Sequence, residues 1–86
     1  MTYEWDETKR RTNFGKHRAD FEQADVFDWD TARVEPDPRH AEERYRATGF
    51  IGDRLHVLVF TVRGDDIRII SLRKATPGEV RRHAAT

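Results

Sequence analysis

The second half of the chain contains four basic residues that can act on a phosphate group: Arg63, Arg68, Arg73 and Lys74. A guanidinium group binds phosphate oxygens in a bidentate manner and stabilises their negative charge. In a regular strand, Arg68 and Lys74 would share one face, and Ser71 and Arg73 would share the other. A single site that uses all of these residues therefore requires a β-bulge or a strand end. The spacing alone also fits ordinary solvated charge on an antiparallel sheet, which is the more common arrangement.

Groups that can transfer a proton lie outside this basic cluster. His17 is a candidate acid or base, because imidazole gains and loses a proton near neutral pH. Its neighbour Lys16 is a candidate phosphate contact, although cations at the end of a helix also suit the helix dipole. Glu43 is a candidate base next to Arg44. A Glu-Arg pair at the start of a strand is more commonly a surface ion pair, so this alternative stays open.

Other kinds of chemistry are limited by the composition. The sequence has no cysteine, which excludes disulfides, thiol chemistry and cysteine-based metal sites. His40 has no partner at a spacing typical of metal ligands, so we predict no metal site and no cofactor. His56 alternates with apolar residues and fits a half-buried strand histidine. His83 falls on the last predicted helix, where we expect it to be exposed.

Charge is distributed unevenly along the 86 residues, which form one predicted domain, 1–86. The formal net charge is zero, but residues 1–43 carry a net charge of −5 and residues 44–86 carry +5. A basic surface can therefore bind a polyanion although the whole molecule is neutral. The sequence contains no pattern typical of a secretory signal or a membrane-spanning segment, and we expect a cytoplasmic protein without a membrane partner.

The first half of the chain predicts one short strand and two helices. Residues 3–5 fit a strand, and Asp6 can cap a helix that extends to about His17. Asp20 and Gln23 form a capping-box pattern that predicts a second short helix. Residues 30–42 contain two prolines and several charges, which indicates an irregular connection with at most a short edge strand near residues 32–35.

The second half predicts strands at residues 44–51, 55–62 and 67–74, joined by short turns that favour antiparallel pairing. Residues 55–62 are apolar on both faces, which predicts a central strand. Thr76, Pro77 and Glu79 then predict a capped helix. We therefore expect an α+β fold with an antiparallel sheet of three to four strands, two N-terminal helices and a short C-terminal helix.

The ordered set of short motifs resembles the BrnT family of type II toxins over nearly the whole chain. The resemblance rests on Trp5-Asp6-Glu7, Asn13, Lys16-His17, Asp20-Phe21-Glu22-Gln23-Ala24, Val26-Phe27-Asp28, Glu42-Glu43-Arg44, Gly49, Arg63-Gly64, Arg68-Ile69-Ile70-Ser71, Arg73-Lys74-Ala75-Thr76 and Glu79. It implies a RelE-like fold and a metal-independent ribonuclease that blocks translation. It also implies neutralisation by a BrnA-like antitoxin with a ribbon-helix-helix DNA-binding part, and repression of their own operon by the two proteins together.

RNA cleavage without a metal requires removal of the 2′-hydroxyl proton, stabilisation of the phosphorane charge and protonation of the 5′-oxygen. The resemblance favours a functional role for Arg63 and Arg73 over solvated charge, but it does not do so for Lys74. The predicted catalytic residues are His17, Glu43, Arg63 and Arg73. The predicted substrate contacts are Lys16, Arg44, Arg68, Ser71, Lys74 and His83.

The chain departs from the family pattern at three positions. Leu72 stands where alanine is common, Arg18 where glycine is usual, and His83 where an aromatic residue, often tyrosine, is found. The third departure leaves open an alternative function, a catalytically weak or inactive module that acts by binding an antitoxin or operator complex. A homodimer or a hetero-oligomer with the antitoxin is compatible with the sequence. The cleavage specificity and the identity of the general base stay open.

Overall fold

The structure is a computed structural model that describes residues 2–39 and 43–85. The elements in chain order are β1 (Tyr3–Glu4), α1 (Glu7–His17), a 3₁₀ helix (Phe21–Val26), β2 (Arg33–Asp37), β3 (Arg44–Ile51), β4 (Arg54–Arg63), β5 (Asp66–Lys74) and α2 (Pro77–Ala84). Within the described ranges, no helix is both long enough and apolar enough to cross a membrane.

The sheet has five strands in the order β1-β5-β4-β3-β2, and it is mixed. The predicted antiparallel sheet of three to four strands is therefore wrong. β1 pairs in parallel with β5, with Tyr3 opposite Ile67, a contact between distant parts of the chain that turn patterns cannot reveal. β2 is a full edge strand that accommodates Pro36, because proline is tolerated at the edge of a sheet. The central position predicted for residues 55–62 is confirmed, since β4 is the middle strand.

The prediction of two N-terminal helices is also wrong, since the second segment forms a 3₁₀ helix of six residues. The predicted capping box is present, with the Asp20 side chain bound to the backbone and the Gln23 side chain bound to the Asp20 backbone N–H. Phe21, Ala24 and Phe27 are buried at a spacing of three residues. The three residues per turn of a 3₁₀ helix turn Phe21 and Ala24 inward together, and Phe27 follows directly as the C-cap in an extended conformation.

One face of the sheet, which we call the core face, packs against the 3₁₀ helix. It contributes Ala47, Leu58, Phe60, Ile67, Ile69 and Leu72 to a buried cluster with Ala19, Phe21, Ala24 and Phe27. Gly49 lets the chain come close at this face, because a Cβ atom there would lie 2.6 Å from the Phe27 ring. The opposite face, which we call the open face, carries most of the charged strand residues, together with the buried side chains of Leu55 and Val57.

A β-bulge changes the direction of the side chains along β5. Val59 of β4 lies opposite Ser71, and the next residue, Phe60, lies opposite Ile69, so Ile70 is an extra residue on β5. Ile69 and Leu72 consequently point to the same face although three positions separate them, and both are buried in the core cluster.

The Asn13 side chain of α1 covers the edge of β5 beyond the end of β1. Its amide nitrogen donates to the carbonyls of Leu72 (2.7 Å) and Ala19 (3.1 Å), and its amide oxygen accepts from the Leu72 N–H (3.2 Å). Asn13 is buried, and an amide side chain can supply both the donor and the acceptor that a neighbouring strand would provide. This contact fixes α1 against the strand that carries Ser71 and Arg73.

Candidate active site

Strand pairing places a row of arginines and acids on the open face. Going from β5 to β2, one row across the sheet consists of Arg73, Val57, Thr48 and Arg33, and the next consists of Ser71, Val59, Arg46 and Glu35. Further along, Arg68 lies opposite Thr61, and Arg44 lies opposite Asp37. These residues share one face because they alternate along each strand. The face therefore collects charged groups from β2, β3 and β5.

The bulge at Ile70 overturns one expectation from strand alternation. Arg68 was expected to share a face with Lys74, but it lies opposite Thr61 of β4 and so shares the open face with Ser71 and Arg73. Lys74 lies opposite His56, on the other side of the sheet. The bulge thus satisfies the condition under which Arg68, Ser71 and Arg73 can contribute to one surface.

Helix α2 covers part of the open face and forms a groove of about 260 Å³ with it. The groove is lined by Arg33, Glu35, Arg46, Thr48, Glu79, Arg82 and His83. The predicted capping box of α2 is present, with the Thr76 hydroxyl accepting from the Glu79 N–H. None of the eight residues of α2, all of them described, is buried. Contacts of individual side chains therefore hold this helix in place.

The strongest of these contacts is a bidentate pair between Arg73 and Glu79. The two guanidinium nitrogens lie 2.7 and 2.9 Å from the two carboxylate oxygens. The Glu79 carboxylate also accepts from the Thr76 N–H at 2.8 Å. Because its hydrogen bonds with Arg73 favour the charged form, the pKa of Glu79 falls to about 2. Glu79 is thus an ionised anchor for α2, unsuited to accept a proton at neutral pH.

His83 and Glu35 are the groove residues with proton-transfer chemistry. His83 is half-buried, not exposed as expected, and its ring meets the Phe50 ring at an interplanar angle of 75°, with centroids 5.7 Å apart. Glu35 forms an ion pair with Arg33 at 3.6 Å, and both side chains are partly exposed. Arg46 lies directly opposite Glu35 in the sheet. The groove therefore combines phosphate-binding cations with an imidazole and a carboxylate.

Arg63 and Arg68 lie at the far end of the open face, where both approach Glu4. The nitrogen–oxygen distances are 4.0 Å for Arg63 and 3.7 Å for Arg68. With the bulge taken into account, Arg68 and Arg73 are about 13 Å apart along β5. In this arrangement Arg68 faces Glu4 and Arg73 faces Glu79, so the two guanidinium groups do not converge on one site.

The predicted pair Glu43 and Arg44 lies at the start of β3. Glu43 is exposed, and Arg44 is half-buried opposite Asp37. The buried Asp37 carboxylate is bound by Arg39 at 2.9 and 3.0 Å. His40, for which we expected no metal partner, lies outside the described residues. Within the two described ranges, no group of three or more His, Cys, Asp or Glu side chains is placed to hold a metal ion.

Lys16 and His17 do not line the groove. They lie, both exposed, at the end of α1, beside a second cavity of about 260 Å³ that we call the α1–β5 cleft. The cleft is lined by Thr8, Lys9, Thr12, Asn13, Lys16, His17, Ile70 and Ser71. The structure therefore separates the predicted site residues. His83 lines the groove, and Lys16, His17 and Ser71 line the cleft. The others lie at the far end of the open face, at the start of β3, beside Glu79 and, for Lys74, on the other side of the sheet.

Six of the seven groove residues were not among the predicted site residues: Arg33, Glu35, Arg46, Thr48, Glu79 and Arg82. Two signals were available. Arg44 and Arg46 alternate with apolar Tyr45 and Ala47, which places the two arginines on one face of β3. Residues 33, 35 and 37 alternate in the same way, but the neighbouring prolines favoured an irregular connection.

The sequence and the fold match one family of proteins. Residues 5–79 match the family described as ribonuclease toxin, BrnT, of type II toxin-antitoxin system. The fold is similar to that of the crystal structure of the Brucella abortus ribonuclease toxin BrnT, with a TM-score of 0.70 and 34% sequence identity. This similarity covers 88% of the present chain and 97% of that chain. No curated protein matches the sequence. The chain belongs to the BrnT family of ribonuclease toxins of type II toxin–antitoxin systems.

Proposed function

We propose that this toxin cleaves RNA without a metal ion in the groove between α2 and the open face, and that a BrnA-like ribbon-helix-helix antitoxin neutralises it. A toxin of a type II system acts with an antitoxin partner and on an RNA target. The observation that carries the proposal is the convergence of Arg33, Arg46 and Arg82 with His83 on one groove. We place this activity in the cytoplasm, where translated RNA is found.

The groove arginines bind and stabilise the phosphate. Arg33 and Arg46 come from neighbouring strands, and Arg82 faces them from α2, so a phosphate in the groove meets cations from two sides. Fixed guanidinium groups stabilise the charge that develops on the phosphorane, a role that a metal ion fills in other nucleases. Arg73 supports this site indirectly, because its bidentate pair with Glu79 holds α2 over the sheet.

Glu35 and His83 carry the protons. Glu35 takes the proton of the attacking 2′-hydroxyl, and the protonated imidazole of His83 gives one to the leaving 5′-oxygen. His83 thus takes the acid–base role first assigned to His17, which lies in the other cavity. Arg44, Arg63 and Arg68 then contact RNA phosphates beyond the scissile phosphate.

RNA degradation by the purified, antitoxin-free protein in EDTA tests this proposal. We expect cleavage by the wild type, and a loss of about 100-fold or more in rate for Arg46→Ala and for His83→Ala. The matched control is Arg54→Ala, which removes an exposed arginine from β4 outside the groove. Addition of the ribbon-helix-helix protein encoded beside the toxin should stop cleavage. Intact RNA after prolonged incubation with folded wild-type protein would favour the non-enzymatic binding module instead.

A further inference from the structure

The α1–β5 cleft lies apart from the groove and carries two lysines of its own. We propose that this cleft binds phosphates of the same single-stranded RNA whose scissile phosphate lies in the groove. The inference rests on the proposed function, because it takes RNA as the ligand. It adds a second RNA-binding subsite and a path for the RNA strand between this subsite and the groove.

The side chains that line the cleft are of the types that bind phosphate. Lys9, Thr12 and Lys16 recur at positions i, i+3 and i+7 of α1, so they lie along one side of the helix. Ser71 faces them from β5. Ammonium and hydroxyl groups are common donors to phosphate oxygens, and such contacts hold nucleic acid without reading its sequence.

The two lysines are available to a ligand. Within residues 2–39 and 43–85, neither Lys9 nor Lys16 forms an ion pair, and both are exposed. By contrast, Arg10 of the same helix is bound by Glu7 and, at 3.0 Å, by Asp20. The acidic residues of the first half therefore neutralise Arg10 and leave the cleft basic.

Ser71 connects the cleft with the groove. Its side chain lines the cleft, and its place on the open face puts it in the same row as Arg46. Arg46 lies two strands away from Ser71, or about 10 Å across the sheet, and Arg73 lies about 7 Å along β5. An RNA strand that crosses the row of Ser71 thus passes directly from the cleft to the groove.

The separation of the two subsites is fixed by Asn13. Three hydrogen bonds join this buried side chain to Leu72, the residue between Ser71 and Arg73, and to Ala19. The helix that carries the lysines therefore keeps its position relative to the strand that leads to the groove. RNA that spans both subsites should bind more tightly than RNA that reaches only one.

Binding of a 2′-O-methyl oligoribonucleotide tests the inference. This probe lacks the free 2′-hydroxyl nucleophile, so it measures binding without cleavage. The full chain, purified without antitoxin, is titrated at several salt concentrations and compared with Lys9→Ala/Lys16→Ala. We expect the double substitution to weaken binding about tenfold. The slope of log K against log salt should fall by about 1.4, since each lost phosphate contact in a single strand contributes about 0.7.

The matched control is Arg11→Ala/Arg54→Ala, which removes the same charge. Arg11 lies on the side of α1 opposite Lys9, and both arginines are exposed. Equal affinity and salt slope in the two double variants would overturn the inference while leaving the proposed function intact. Failure of the wild type to bind the probe would overturn both. If the lysine variant binds RNA normally but loses the antitoxin, the cleft is an antitoxin surface and the inference is wrong.

Discussion

The two faces of the sheet differ in what covers them. On the core face, Ala47, Leu58 and Leu72 are fully buried beneath the 3₁₀ helix and the segment that follows it. On the open face, Arg33 and Glu35 are still partly exposed although α2 lies nearby. Because the same strands supply both faces, alternate residues serve different purposes. Residues that point to the core face supply most of the apolar contacts that stabilise the fold, and residues that point to the open face line the groove.

The two short helices that cover these faces, the 3₁₀ helix and α2, also differ in the contacts that hold them against the sheet. Each begins with a complete capping box, so the caps do not account for the difference. The 3₁₀ helix buries Phe21 and Ala24, whereas α2, described over its whole length, buries no residue. Buried apolar side chains therefore fix the first helix, whereas the pair of Arg73 and Glu79 and the ring contact of His83 with Phe50 fix the second. A helix that buries none of its own residues leaves its polar side chains free to line a groove for a charged ligand.

The largest effect should come from a substitution on the core face. Leu58→Ala removes a fully buried side chain from the central strand and leaves a cavity, so we expect a loss of about 3 kcal/mol in the free energy of unfolding. Arg46→Ala, on the open face of the neighbouring strand, should cost less than about 1 kcal/mol. Urea unfolding followed by circular dichroism measures both. Equal losses would show that the division between the two faces is wrong.

A smaller effect should follow from separating α2 from the sheet. We expect a coupling energy of about 1 kcal/mol between Arg73 and Glu79 in a double-mutant cycle with Arg73→Ala and Glu79→Gln. Since the pKa of Glu79 is lowered to about 2, the stabilisation is present at neutral pH and is lost as the pH falls toward that value.

Trypsin cleavage at Arg81 and Arg82 should become faster in both single variants, because α2 is then held less firmly. The control for this measurement is Glu22→Gln, which changes an exposed acid of the 3₁₀ helix. If cleavage is as slow as in the wild type, the pair does not hold α2.

Local signals in the sequence predicted local structure well. The caps at Asp6, Asp20 and Thr76 are all present, because a cap depends only on the next few residues. The parallel pairing of Tyr3 with Ile67 was missed, since a strand of two residues has no periodicity of its own. β2 was missed as a full strand because Pro36 argued against pairing, although an edge strand tolerates it.

The site was predicted less completely, because it depends on a bulge and on contacts between residues that are far apart in the sequence. The basic residues of β5 were identified, but their common face depends on the bulge at Ile70, and two consecutive isoleucines give no sign of which one is extra. Arg33 and Glu35 were not recognised as site residues, because their segment was predicted as an irregular connection with at most a short edge strand. Asn13 was noticed only as part of a family motif, because its contact with Leu72 joins residues that are 59 positions apart.

The smallest effect concerns His56, a titratable group on the core side of the sheet. Burial lowers its pKa and outweighs the hydrogen bond between its Nδ1 and the Arg54 carbonyl at 2.9 Å. The unfolded chain therefore takes up a proton before the folded one, and stability should fall as the pH drops below about 6.5. Between pH 7 and pH 6 we expect a loss of under about 1 kcal/mol in the free energy of unfolding.

The control is His56→Asn, which keeps a donor for the Arg54 carbonyl but cannot titrate. The free energy of unfolding of this variant, measured at both pH values, should depend less on pH than that of the wild type. If the free energy of unfolding changes with pH as steeply in this variant as in the wild type, other groups set the pH dependence, and burial on the core side does not keep His56 neutral.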